Sequence, residues 1–264
     1  MARRPATGMT VTPHDIRDAL ALPPGGAAAR RLPKDVLAEH GAANAADRKA
    51  IDKVIERLDW WATLSPATIG VAAGTDNERP VPAIQLLTLT AREQPTQRLL
   101  TMVHRSIPVP IILLTQLPAN AGTRVSVAPF RRAERVGGKM VVERLVVSPD
   151  LTDPGSEATK AFIAGLALPQ LPQVSLCALY ASLVERVEAL EVATLTGTPF
   201  RLVDDPGARR DALGRYREVD AQWMRGRANM KKQASLARQV ALGAEVAKVK
   251  AELDAIIEQL RRAK

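Results

Sequence analysis

Residues 105–117 read RSIPVPIILLTQL, with two prolines set immediately before the most apolar run of the chain. Proline cannot continue a helix past its first turn, and it pushes the residue before it into extended geometry. Pro108 therefore stops any helix arriving from the N-terminal side at Ile107. Pro110 keeps Val109 extended. Neither proline can donate to a ladder, so both belong at the start of a strand, where that costs least. PTQRLLTMVHRSI (95–107) then reads as a helix with Leu99, Leu100 and Val103 inward, and PIILLTQL (110–117) as a strand buried on both faces.

The neighbouring segments extend this pattern. TIGVAA (68–73) and PAIQLLTLTA (82–91) are predicted strands around a TDNERP turn. TRVSVAPF (123–130) and KMVVERLVV (139–147) are two more, turned by ANAG and RVGGK. RVSVAPF alternates polar and apolar residues, which predicts a sheet with one solvated face. Upstream, TPHDIRDALAL reads as a short helix with Thr12 as N-cap, Pro13 at the first helical position and Asp15 in the first turn. Residues 1–11 read as disordered and PPGGAAARR (23–31) as a loop. In NAADRKAIDKVIERLDWWATL, from Asn44, the residues Ile51, Val54, Ile55, Leu58 and Trp61 form one helical stripe, ended by Ser65-Pro66.

After Pro149 the chain turns helical: 156–168, 174–195, roughly 208–225, and a last helix from about Asn229 to Arg262. In that last helix Leu242, Val246, Val249, Leu253, Ile256 and Leu260 are spaced 4, 3, 4, 3 and 4, a heptad seam that predicts a coiled coil or a docking helix. The expected fold is α+β. A mixed or antiparallel sheet has flanking helices and is followed by a helical C-terminal region. Its parts are a flexible N-terminal segment with a short helix (1–31), the α+β domain (32–150), a helical region (151–205) and a basic helical extension (206–264).

Charge is concentrated in that extension. The chain carries 37 Lys+Arg against 28 Asp+Glu, a net charge of +9. Residues 206–264 hold 14 bases and 7 acids, which leaves 23 and 21 for the rest. A basic block suggests a polyanionic partner. Between 221 and 244 stand Arg225, Arg227, Lys231, Lys232 and Arg238, with no acid. Phosphate contacts from such residues supply affinity without reading sequence. Arg227, Lys231 and Arg238 are read as one helical face, with Trp223 beside them able to stack on a base or to enter the core. A second basic set lies on the 124–144 hairpin: Arg124, Arg131, Arg132, Arg135, Lys139 and Arg144.

Catalytic patterns are missing. His14, His40 and His104 are scattered, and one cysteine, Cys177, supports neither a disulfide nor a zinc pattern. VGGKM lacks the glycine and the Ser/Thr that a phosphate loop requires. No G-x-S-x-G elbow occurs. Glu143 lacks the lysine of a nuclease Glu-x-Lys pair, and Asp204-Asp205 reads as a turn. No metal, no cofactor and no catalytic residue is expected. With no secretory h-region and no apolar run of membrane-spanning length, the expected setting is cytoplasmic.

The order of several short motifs carries a resemblance. Pro33-Lys34 precedes a segment ending in Trp60-Trp61 and a Leu64-Ser65-Pro66 turn. Ile107 to Pro110 opens a strand, and a basic helix with Arg238 to Glu245 closes the series. In this order the chain, over about 32–262, resembles a prokaryotic domain-of-unknown-function family, DUF4391. It departs from the family pattern at Val109, Gly70 and Gly243, where tyrosine and asparagine are usual. The resemblance implies a gene set beside a DNA methyltransferase and a helicase in restriction-like, anti-phage clusters. It implies a non-enzymatic accessory subunit that docks on such a partner and touches DNA non-specifically. The seam also allows a homo-oligomer. The alternative is a metal-dependent nuclease drawing on Asp76, Glu78 and Glu143.

Overall fold

In the computed structural model, residues 10–23, 27–76, 79–132 and 140–263 are described, and the chain divides into two compact units, Met1–Leu190 and Glu191–Lys264. The first unit opens with α1 (Pro13–Ala19), β1 (Ala27–Arg31), α2 (Asp35–His40), α3 (Ala45–Val54), β2 (Ile55–Leu64) and α4 (Pro66–Ile69). There follow β3 (Gly74–Asp76), β4 (Arg79–Val81), β5 (Ile84–Ala91), α5 (Gln97–Ser106), β6 (Ile111–Gln116) and β7 (Thr123–Val127). The series continues with β8 (Phe130–Arg132), β9 (Met140–Val142), β10 (Val146–Val147), α6 (Glu157–Ala164) and α7 (Leu176–Thr196), whose last turns belong to the second unit. A mixed six-stranded sheet runs β1-β2-β5-β6-β7-β10, parallel only between β5 and β6. The fold is α+β, as expected.

The two prolines act as the sequence predicts. Thr96 caps α5, the helix ends at Ser106, and Ile107 is already extended at φ −105°. Pro110, at the mouth of β6, still uses its carbonyl, which accepts from the Gln85 N–H at 2.9 Å. Ile111 to Thr115 are buried throughout. On one sheet face Leu99, Leu100 and Val103 of α5 join Leu37, Ile51, Leu58, Leu87, Leu89 and Leu113 in a single core. On the other, Ile16 and Leu20 meet Leu183 and Val187 of α7 over Ile112, Val125 and Val127. The Tyr180 hydroxyl pins α7 to the sheet, donating to the Ile111 carbonyl at 3.0 Å and accepting from the Ala128 N–H at 2.8 Å. Burial raises its pKa.

Six expectations change in this unit. The helix predicted from Asn44 to Leu64 stops at Val54, and Ile55–Leu64 is a strand between β1 and β5. Two bulges explain the misleading spacing. The register skips between Ile55 and Arg57 and again between Trp60 and Ala62. Each inserted residue reverses which face the following side chains take. Ile55 and Leu58, three apart, therefore share the α5 face, and a period of two imitates a helical one. The Lys34 ammonium donates to the Ile55 carbonyl at this junction.

The loop predicted at 23–31 contains β1, paired with β2. The strand predicted at 68–73 is replaced by α4: Ser65 and Thr68 form a reciprocal cap, Pro66 starts the turn, and Gly70 ends it at φ +72°. The wet face predicted for β7 is covered. Ser126 is fully buried and shares a 3.0 Å hydrogen bond with His104, and Thr123 donates to the Val11 carbonyl at 2.8 Å. That contact, with Thr10 bonded to the Asn120 carbonyl at 3.0 Å, also fixes two residues read as disordered; residues 1–9 lie outside the described ones. Finally, the single strand predicted at 139–147 splits into β9 and β10 around Arg144, which turns in to Glu188.

His104 makes stability depend on pH. Burial pushes its imidazole pKa down to about 3. In the unfolded chain it titrates near 6.5. As pH falls below that value the unfolded state takes up a proton that the folded state refuses. Stability fully present at neutral pH is therefore lost between about 6.5 and 3, by up to about 1.4 kcal/mol per pH unit. Urea titrations at pH 7.5 and 5.5 should show this loss in the wild type and a shallower one in His104→Gln. Equal pH dependence in the two proteins would clear His104 of the role.

Candidate nucleic-acid interface

The basic extension folds as a helical hairpin of α8 (Pro206–Lys232) and α9 (Leu236–Arg262). Asp205 caps α8, its carboxylate accepting from the Ala208 N–H at 2.9 Å, and Pro206 takes the first turn. The turn at Gln233–Ser235 is tied by Gln239, which donates from its amide to the Gln233 carbonyl at 2.6 Å. Ala212, Leu213 and Val219 of α8 pack with Leu253, Ile256 and Leu260 of α9 and Val192 at the end of α7. Nearer the tip the helices approach closely: a methyl group on Gly226 would stand 3.0 Å from Val246.

The heptad seam is thus filled from its own chain at its C-terminal end. Leu253, Ile256 and Leu260 are buried, and Leu242, Val246 and Val249 are half-buried. The predicted start of the last helix at Asn229 moves to Leu236. That corrects the basic face: Arg225, Arg227, Lys231 and Lys232 close α8, and Arg238 opens α9. The hairpin turn, not a continuous helix, gathers them at one tip. Lys231 and Lys232 complement the C-terminal end of the α8 dipole.

All five cations are exposed, and none forms an ion pair with an acid among the described residues. Most of the hairpin's other cations are paired. Arg215 stands 3.9 Å from Glu252, Arg217 holds Glu191, and Arg261 and Arg262 flank Glu258 at 2.9 and 2.8 Å. The tip is the uncompensated end. Trp223 is half-buried under two cations, Arg227 at 4.6 Å and Lys250 at 6.0 Å from its ring centroid, so its face is already occupied. Sequence reasoning missed this cluster, although Trp223 and Arg227 sit at the i, i+4 spacing that signals it.

Of the 124–144 basic set, Arg124 and Arg144 are committed elsewhere. Arg124 pairs with Asp150 at 2.6 Å and Arg144 with the fully buried Glu188. Arg131 and Arg132 lie on β8, their side chains outside the described residues, as are Arg135 and Lys139 entirely. Removing Arg144 strands a buried carboxylate. Arg144→Ala should lower stability by about 3 kcal/mol in urea unfolding, with DNA affinity unchanged; full stability would contradict the pairing.

Of the acids proposed for a nuclease, only the Glu143 side chain is among those described. Glu143 is exposed on the link between β9 and β10, Glu78 and the side chain of Asp76 lie outside the described residues, and among those described no three His, Cys, Asp or Glu side chains form a metal-holding group. His14 rests on Trp61, and His40 closes α2. No helix among the described residues is long and apolar enough to cross a membrane.

An α+β body followed by a helical hairpin with a basic tip is therefore the class of protein that fold and surface define. The chain belongs to the domain-of-unknown-function family DUF4391, whose sequence model matches residues 20–253. No curated protein and no solved structure matches it.

Proposed function

We propose that this protein is a non-enzymatic accessory subunit of a restriction-like, anti-phage system, docking on a helicase or DNA methyltransferase and contacting DNA non-specifically through the α8–α9 tip. The observation that carries the reading is the tip itself: five exposed cations without acidic partners, at the end of a hairpin whose other arginines are mostly paired. Exposed Lys and Arg of this kind contact phosphates and release counterions without reading bases. The sequence carries no phosphate loop, so ATP hydrolysis and methyl transfer fall to the partner.

Co-expression tests the docking. The chain should co-purify with a helicase or methyltransferase encoded beside its gene and tighten that partner's hold on DNA of unrelated sequence. Separate elution of the two, with the partner's DNA affinity unchanged, would remove the accessory role. Metal-dependent cleavage of plasmid DNA by the isolated chain would replace it with the nuclease reading.

A further inference from the structure

The cations of the α8–α9 tip leave the hairpin on two opposite faces. At about 100° per residue, Arg225 and Lys232, seven apart, differ by only about 20° around α8, and Arg227 and Lys231, four apart, by about 40°. The side of α8 turned to α9 is fixed by Gly226, where a methyl group would stand 3.0 Å from Val246, and by the buried Val219. Each pair stands about 110–120° from that direction, one to either side of it.

Two contacts across the hairpin identify the faces independently. Arg215 and Glu252, 3.9 Å apart, mark the face of Arg225 and Lys232, and Arg238, about four turns before Glu252 on α9, joins it. Trp223 marks the other face, with Arg227 at 4.6 Å and Lys250 of α9 at 6.0 Å from its ring centroid.

The charged faces are therefore separated by the thickness of one helix, about 10–12 Å with side chains. A single strand presents one row of phosphates, which meets one face and leaves the other in solvent. A duplex presents two rows, one on each rim of a groove. The major groove, about 12 Å wide, admits a body one helix thick, and the minor groove, about 6 Å wide, does not. Trp223 is the only aromatic residue between 221 and 244, and its ring already carries Arg227, so the tip offers no stacking platform of the kind single-strand binders use. On the reading of the tip as a DNA contact, on which this rests, we infer that it takes duplex DNA: the end of the hairpin enters the major groove and each face engages the phosphates of one strand.

Fluorescence anisotropy across a salt series, with the full chain, a labelled duplex of about 20 base pairs and one of its strands alone, is the test. Arg225→Gln with Lys232→Gln removes two contacts from one face, and Arg227→Gln with Lys231→Gln removes two from the other. Each double variant should flatten the duplex slope of log K against log salt by about 1.8, at native circular dichroism. The single strand should bind more weakly, with a slope of about −1.4 to −2.1 from the two or three contacts of one face. Methyl green, a major-groove ligand, should compete with the chain for the duplex, and netropsin, a minor-groove ligand, should not. A flattened slope from one double variant and an unchanged one from the other would leave the tip a DNA contact and overturn the two-strand engagement. So would a single strand bound as tightly as the duplex, or displacement by netropsin alone. If neither double variant alters the slope, the tip is not the contact and both readings fall.

Discussion

Changing Arg227, Lys231, Lys232 and Arg238 together to Glu should weaken DNA binding by roughly a hundredfold or more at moderate salt. The four side chains turn from +4 to −4 at one tip. None has an acidic partner among the described residues, so no ion pair is lost; the fold gives up only the contact of Arg227 with the Trp223 ring, worth about 0.5–1 kcal/mol at an exposed site. Two are in the last turn of α8, where acids oppose the helix dipole by only about 0.3–1 kcal/mol each. The loss should therefore be one of binding at native helicity. Fluorescence anisotropy with a labelled duplex measures it, with circular dichroism as the control. Wild-type affinity in the variant would exclude the tip and return attention to Arg131 and Arg132.

Leu253→Asp should open the hairpin. Leu253 is 3% exposed, packed with Leu213, Val219, Ile256 and Leu260 inside the second unit. Truncating a buried leucine costs about 2–5 kcal/mol. A carboxylate left there without a partner adds its own desolvation, for a total of about 5 kcal/mol or more. That approaches the whole stability of a small unit. The variant should lose part of its helical signal, become protease-sensitive after residue 190, and bind DNA weakly because the tip is no longer assembled. Native helicity and native urea resistance would show that α8 and α9 are not held by this seam.

Much of the sheet was legible because local signals agreed. The Pro108–Pro110 pair, the apolar run Ile111–Leu114 and the stripe Leu99, Leu100 and Val103 all point to the same helix-to-strand change, and no tertiary effect overrides them. β2 was not legible, since its two bulges break the alternation and only its pairing with β5 reveals it. β1 was hidden by alanines, whose weak strand propensity gives no local signal; pairing with β2 makes the strand. At the candidate site the five cations were legible as residue types. Their grouping was not, because the break at Gln233–Ser235 carries neither proline nor glycine. The seam's spacing was read well, but periodicity does not say which chain fills it. The Glu188–Arg144 pair was out of reach: two residues 44 apart in sequence meet only once the fold exists.

The salt dependence of DNA binding by the intact wild-type chain tests the central claim most directly. Three to five phosphate contacts from the tip predict a slope of log K against log salt of about −3 to −4.5. The slope should be the same on two duplexes of unrelated sequence. A slope near zero, or affinity confined to one of the two sequences, would contradict a non-specific phosphate contact.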